Sequence, residues 1–191
     1  MEQRRPGALG DATADVTKVM DTTLPQLIGL ALALVACVWD VRTRRIPQAL
    51  TLGGAAAGVV FHLVTGGLGG LGSGLAGFGV GLAVFLIPFA LGGLGAGDVK
   101  LMAALGAWLG PGAALWLAVY TAISGAILAL GYSLLTGYFV QALSNLWLLL
   151  SHWRVNGVRP LTELTLEHGR GPRLAYAVPI LAGTMVTLWL R

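Results

Sequence analysis

The chain has 191 residues, of which 56% are hydrophobic and 10% are charged, and its mean hydropathy is +0.80. Ordinary soluble domains carry about 25% charged residues, so the composition excludes a typical soluble protein and indicates a membrane protein. The net charge of +4 comes without a basic patch interleaved with aromatic residues, so we expect membrane lipid and no nucleic acid as a partner. The single cysteine, Cys37, excludes an intrachain disulfide and a cysteine-based zinc cluster.

The first 23 residues are polar, lack periodicity and carry charges of both signs. Such a segment cannot bury enough apolar surface to become ordered by itself. We therefore predict a disordered polar tail over residues 1–23, followed by a membrane-embedded domain over residues 24–191.

Apolar stretches near the ~20 residues that cross a bilayer predict an all-α, polytopic membrane helix bundle of about six transmembrane helices. Two glycine pairs at GxxxG spacing, Gly54 with Gly58 and Gly77 with Gly81, predict close helix packing. The glycine-rich stretch 66–73 is predicted to be a loop. The six predicted spans are residues 24–41, 47–65, 74–91, 97–110, 112–136 and 174–190.

The apolar stretch 137–153 is interrupted by Gln141, Ser144 and Asn145, which favours a helix in the membrane interface over a further crossing. The residues that follow, up to 173, form a basic loop. Loops rich in arginine and lysine stay cytoplasmic, so this loop, the basic stretch 42–45 and Lys100 are all predicted to lie at the cytoplasmic face.

Asp40 and Asp98 are the only acidic residues between positions 22 and 162. Asp40 ends the first predicted span and Asp98 opens the fourth, so short connections bring both to the cytoplasmic side. Ionisable groups at membrane depth are costly enough to suggest a function. Glycines just before Asp98 predict non-helical backbone, which at that depth must line protein or a water-filled pocket.

Two neighbouring carboxyl groups do not both ionise readily, so they hold one proton between them. One member can then take a proton from water while the other protonates a substrate carbonyl, which is the chemistry of aspartic proteolysis. Simpler readings remain open: Asp98 could cap a helix, and Asp40 could pair with a nearby arginine. A proton- or ion-coupled transporter that uses both aspartates and a non-enzymatic scaffold also remain. No spacing typical of a metal site occurs, and we expect no cofactor.

Two motifs, "DVRTRRIPQAL" (40–50) and "GAGDVKL" (95–101), resemble those of the type IV prepilin peptidases, membrane aspartic proteases of the GxGD type. The resemblance extends to "RLAYAVPILAG" (173–183), which is similar to the segment that opens the family's last helix. It implies cleavage of the leader peptide from prepilin or pseudopilin precursors at the cytoplasmic face of the inner membrane. Asp40 and Asp98 would be the catalytic pair.

Three further residues are candidates for a supporting role. Gly95 and Gly97 could expose backbone groups to an extended substrate or could only make the loop flexible. Lys100 could act on the charge of the pair or on an acidic substrate side chain, or could simply reach the headgroups as a topology signal. Gln48 stands where the family usually has asparagine. The chain lacks the paired CxxC insert of bifunctional members, so it resembles the short, tight-adherence type, and we expect peptidase without methyltransferase activity. The oligomeric state stays open.

Overall fold

The computed structural model describes residues 8–137, 139–156 and 175–190. Within these ranges the regular structure is entirely α-helical, in agreement with the predicted all-α class. The helices, in chain order, are α1 (Ala8–Thr43), α2 (Gln48–Ala90), α3 (Ala96–Leu135), α4 (Phe139–Asn156) and α5 (Ala177–Trp189).

Three helical stretches are long and apolar enough to cross a membrane: Thr23–Thr43 within α1, and the whole of α2 and α3. Helix α5 is also apolar but has only 13 residues. These stretches indicate a membrane protein. The number of six crossings stays a prediction.

Helix α2 folds back on itself at Gly67, whose backbone angles, φ 57° and ψ −144°, are not helical. A β-carbon placed on Gly74 would lie 3.4 Å from the Cα of Val59. In a straight helix these residues would be about 22 Å apart along the axis. The predicted loop over 66–73 is therefore wrong in extent, because one residue makes the turn and the glycine-rich stretch continues as helix. Of the glycines in this stretch, Gly70 packs against the backbone of His62 in the first half of α2, and this contact offsets the low helix propensity of glycine.

Helix α3 turns in the same way at Gly110, which precedes Pro111 and has φ 78° and ψ 171°. A β-carbon on Gly106 would lie 3.4 Å from the Cβ of Ala114, although eight residues of straight helix span about 12 Å. The sequence-based break between 110 and 112 is confirmed. The first segment of α3, from Ala96 to the turn, is thus about 21 Å long.

Glycines let α2 and α3 touch backbone to backbone. A β-carbon on Gly77 would overlap the carbonyl oxygen of Gly106, and one on Gly81 would overlap that of Met102. The prediction that the Gly77 and Gly81 pair supports close helix packing is confirmed. The most extensive helix packing in the described structure is between α2 and α3.

The first segment of α3 is the centre of the bundle. Every residue from Asp98 to Trp108 except the half-buried Lys100 is buried, so this segment is largely surrounded by other helices. Its far end is fixed by two hydrogen bonds to α2: the Trp108 indole donates to the Gly54 carbonyl (2.8 Å), and His62 Nε2 lies 3.1 Å from the Trp108 carbonyl.

Helix α1 begins at Ala8, inside the stretch 1–23 that was predicted to be disordered. The polar composition of residues 1–23 therefore does not predict where the helix begins. The apolar part of α1 does begin at Thr23. Helix α4 covers most of the predicted interfacial segment, and its place in the interface stays a prediction. The basic loop predicted over 154–173 begins with the last three residues of α4, and the rest of it lies outside the described residues.

The glycine contacts generate a stability prediction. Gly77→Ala places a methyl group against the backbone of α3, so we expect a loss of about 1–3 kcal/mol from overpacking, even though alanine favours helix by about 1 kcal/mol. The matched control is Gly79→Ala, two residues away, where a β-carbon meets nothing within 4 Å. Thermal unfolding in detergent should rank Gly77→Ala below the parent and Gly79→Ala at or above it. Equal stability of the two variants would contradict the backbone contact.

Candidate active site

Asp40 lies three residues before Thr43, the last residue of α1, and is only 8% exposed. Its side chain points toward the start of α5, where the backbone N–H of Ala177 is placed to donate to Asp40 Oδ2 at 3.5 Å. The two residues are 137 positions apart in the chain. This long-range contact is long for a hydrogen bond, but it places the carboxylate at a helix amino terminus, where the free N–H groups and the dipole favour negative charge.

Asp98 is the third residue of α3 and is 9% exposed. Gly95, in an extended conformation, caps the helix and donates its N–H to Asp98 Oδ2 at 3.2 Å, while its carbonyl accepts the Asp98 N–H at 3.1 Å. Asp98 therefore contributes to capping from inside the helix, as the acid of a capping box does, and does not occupy the cap position itself.

Both aspartates line one cavity of about 630 Å³. Its walls come from the end of α1, the connection to α2 and the start of α3. The structure thus brings together four of the five sequence-predicted site residues: Asp40, Asp98, Gly95 and Gly97. The fifth, Lys100, is half-buried on α3 and is not among the lining residues.

The cavity wall opposite α3 is the connection after α1. Arg44 adopts a left-handed conformation, φ 55°, which is uncommon for a residue other than glycine. A β-carbon on Gly97 would approach the Cβ of Ile46 to 3.3 Å, so glycine at this position lets the two walls come close. The exposed Arg44 and Arg45 also line the cavity and place positive charge at its rim.

The start of α5 is the part of the site that sequence reasoning missed. Ala177 contributes a backbone N–H and no functional side chain, so a search for chemically active residues passes over it. Next to it, Tyr176 packs edge-on against Phe85 with ring centroids 6.3 Å apart. The only available signal was the similarity of the segment 173–183 to the opening of the family's last helix.

The side chains of the site limit whether it can bind a metal ion. Among the residues the structure describes, no three His, Cys, Asp or Glu side chains come together as metal ligands. Two buried carboxyl groups beside a cavity large enough for water and a peptide segment can act as a proton acceptor and a proton donor.

Comparison with known proteins gives one match. The model of the type IV leader peptidase family matches residues 27–130, slightly more than half of the chain, and this range includes both aspartates and the glycines around Asp98. No curated protein and no solved structure matches the chain. The extent of the family match is sufficient to conclude that the chain belongs to the type IV leader peptidase family.

Proposed function

We propose that the chain is a membrane-embedded aspartic endopeptidase that removes the leader peptide from type IV prepilin or pseudopilin precursors. The observation that carries this proposal is the pair of buried aspartates, Asp40 from α1 and Asp98 from α3, in the wall of one cavity. Membership of a leader peptidase family supplies the reaction class, peptide hydrolysis. The two aspartates are the acids available in the cavity wall to perform it.

In the proposed mechanism the two carboxyl groups hold one proton. The ionised member takes a proton from a water molecule while the water oxygen attacks the scissile carbonyl carbon. The protonated member donates its proton to the carbonyl oxygen. The tetrahedral intermediate then collapses: the ionised member takes back a hydroxyl proton, the C–N bond breaks, and the departing nitrogen takes a proton from the protonated member, so the pair again holds one proton. Gly95 and Gly97 leave backbone groups of the wall open to an extended substrate. Lys100, outside the cavity wall, would act only through the local field.

The proposed orientation puts this cavity at the cytoplasmic face of the inner membrane. The basic stretch 42–45 adjoins Asp40 in sequence, and arginine-rich loops favour the cytoplasmic side. The turns at Gly67 and Gly110 support two crossings each for α2 and α3, which together with α1 and α5 gives six. The positions of Asp40 and Asp98 near helix ends weigh against the alternative of an ion-coupled transporter, whose sites lie near the bilayer midplane.

The catalytic proposal is tested by removing each proton-transferring group. Asp40→Asn and Asp98→Asn keep the side-chain shape but cannot exchange the proton, so we expect each to reduce cleavage by at least about 100-fold. Co-expression with a candidate precursor and comparison of precursor and product sizes measures this. Asp15→Asn, the same change in the polar beginning of the chain, is the control and should process normally. Normal processing by both site variants would refute the peptidase reading.

The topology is tested with single cysteines. Cys37→Ala removes the chain's only cysteine, and new cysteines can then be placed at Thr43, beside the cavity, and at Gly69, beside the turn of α2. A membrane-impermeant maleimide added to intact spheroplasts should label the cysteine at Gly69, and should label that at Thr43 only after the membrane is opened. Labelling of both positions from the same side would contradict a crossing between them.

A further inference from the structure

At the start of α5, one backbone N–H points to the proposed catalytic pair. It belongs to Ala177 and faces Asp40 Oδ2. The next N–H, of Val178, donates to the Ala175 carbonyl at 3.1 Å, and the residue after it, Pro179, has no N–H. The contact between α5 and Asp40 therefore depends on the position of one peptide group. Since its distance of 3.5 Å is already long for a hydrogen bond, a small shift of the helix start away from α1 would end it.

Tyr176, the residue before Ala177, holds this helix start from the side. Its ring packs edge-on against Phe85 of α2, with centroids 6.3 Å apart and an angle of 66° between the ring planes. The other end of the ring lies against Gly125, in the segment of α3 that follows the turn at Gly110. A β-carbon on Gly125 would lie 3.0 Å from the tyrosine hydroxyl oxygen and 3.3 Å from Cζ. The ring is thus held between α2 and α3, and the glycine leaves the room that it needs.

The backbone of Tyr176 connects this ring to the rest of α5. Its carbonyl accepts the Ile180 N–H at 3.3 Å, so the residue belongs to the first turn of the helix. Further along α5, a β-carbon on Gly183 would lie 2.7 Å from the backbone nitrogen of Thr121, so the backbones of α5 and α3 touch there. With α5 held at Gly183 and the tyrosine ring held at its start, both rotation of the helix and movement along α3 are restricted.

We propose that Tyr176 is a positioning residue of the peptidase: its ring, held between Phe85 and Gly125, places the Ala177 N–H at the Asp40 carboxylate. This inference rests on the proposed function. A backbone N–H that donates to a carboxylate orients it and favours its ionised form, and a misplacement of about 1 Å at a reacting group can cost about 100-fold in rate. Tyr176 therefore acts on the chemical step through Asp40, and this role requires no contact between the tyrosine and the substrate.

Removing the ring tests the proposal directly. Tyr176→Ala should lower kcat at least about tenfold and leave KM nearly unchanged, because an interaction that acts on the chemical step alone affects kcat. Tyr176→Phe keeps the ring and should keep most of the parental kcat. The assay uses purified enzyme in detergent and a precursor that the parent cleaves, and kcat is calculated per folded enzyme after size-exclusion chromatography. A residue that only stabilised the fold would leave this kcat unchanged.

A double substitution gives a second test that survives a folding defect of Tyr176→Ala. Gly125→Ala adds a methyl group 3.0 Å from the tyrosine hydroxyl, so it should displace the ring and lower kcat about tenfold. Adding Tyr176→Phe removes that hydroxyl and should restore most of the lost kcat, which is the coupling expected of residues in contact. The matched control is Gly131→Ala on the same segment of α3, where a β-carbon meets nothing within 4 Å, and its kcat should equal that of the parent.

Three outcomes would overturn the positioning role. The first is a raised KM with a parental kcat in Tyr176→Ala, which would make the tyrosine a substrate contact. The second is an equal loss of kcat in Tyr176→Phe and Tyr176→Ala, which would assign the effect to the hydroxyl. The third is a Gly125→Ala variant that either keeps the parental kcat or is not rescued by Tyr176→Phe. Asp98→Asn is assayed in parallel: if it still cleaves, the proposed function itself fails, whereas an inactive Asp98→Asn beside a fully active Tyr176→Ala refutes the positioning role alone.

Discussion

The constraint on which this structure depends is the cost of burying two carboxyl groups in an apolar bundle. Moving an ionised carboxylate into a protein interior costs several kcal/mol unless hydrogen bonds and opposite charge compensate. Asp40 and Asp98 are 8% and 9% exposed, and each receives one backbone N–H, from Ala177 and Gly95 respectively. The starts of two helices, α5 and α3, therefore converge on the end of a third, α1, and the amino-terminal dipoles favour negative charge on the two carboxyl groups.

The position of Asp98 depends on helix contacts made further along α3. Nearly all residues of the first segment of α3 between Asp98 and Trp108 are buried, and such burial requires neighbouring helices to come within backbone contact. The contacts of Gly77 with Gly106 and of Gly81 with Met102 supply that closeness, since any side chain at these glycines would separate α2 from α3. These glycines, which in sequence suggest loops, thus allow α2 to pack closely against the first segment of α3. That segment in turn positions the Asp98 carboxylate.

Sequence patterns predicted the parts of the molecule that carry a chemical or conformational signal. Asp40 and Asp98 are conspicuous because charge is rare around them, and Gly110 followed by Pro111 breaks any helix. The extent of the loop around Gly67 was mispredicted because glycine usually opposes helix, whereas Gly70 and Gly74 pack against the first half of α2. The contact of Ala177 with Asp40 could not be predicted, since a backbone N–H has no signature in sequence.

Asp98 lines two cavities of the described structure: the one that Asp40 also lines, and a second one between α3 and the start of α5 whose lining is mostly apolar. At the boundary between these cavities, the position of the Asp98 side chain depends on a hold from the backbone. The Gly95 N–H provides that hold on Asp98. Gly95 therefore matters as the group that keeps the acid at the boundary, in addition to any contact with substrate, and this role follows from its extended backbone before α3.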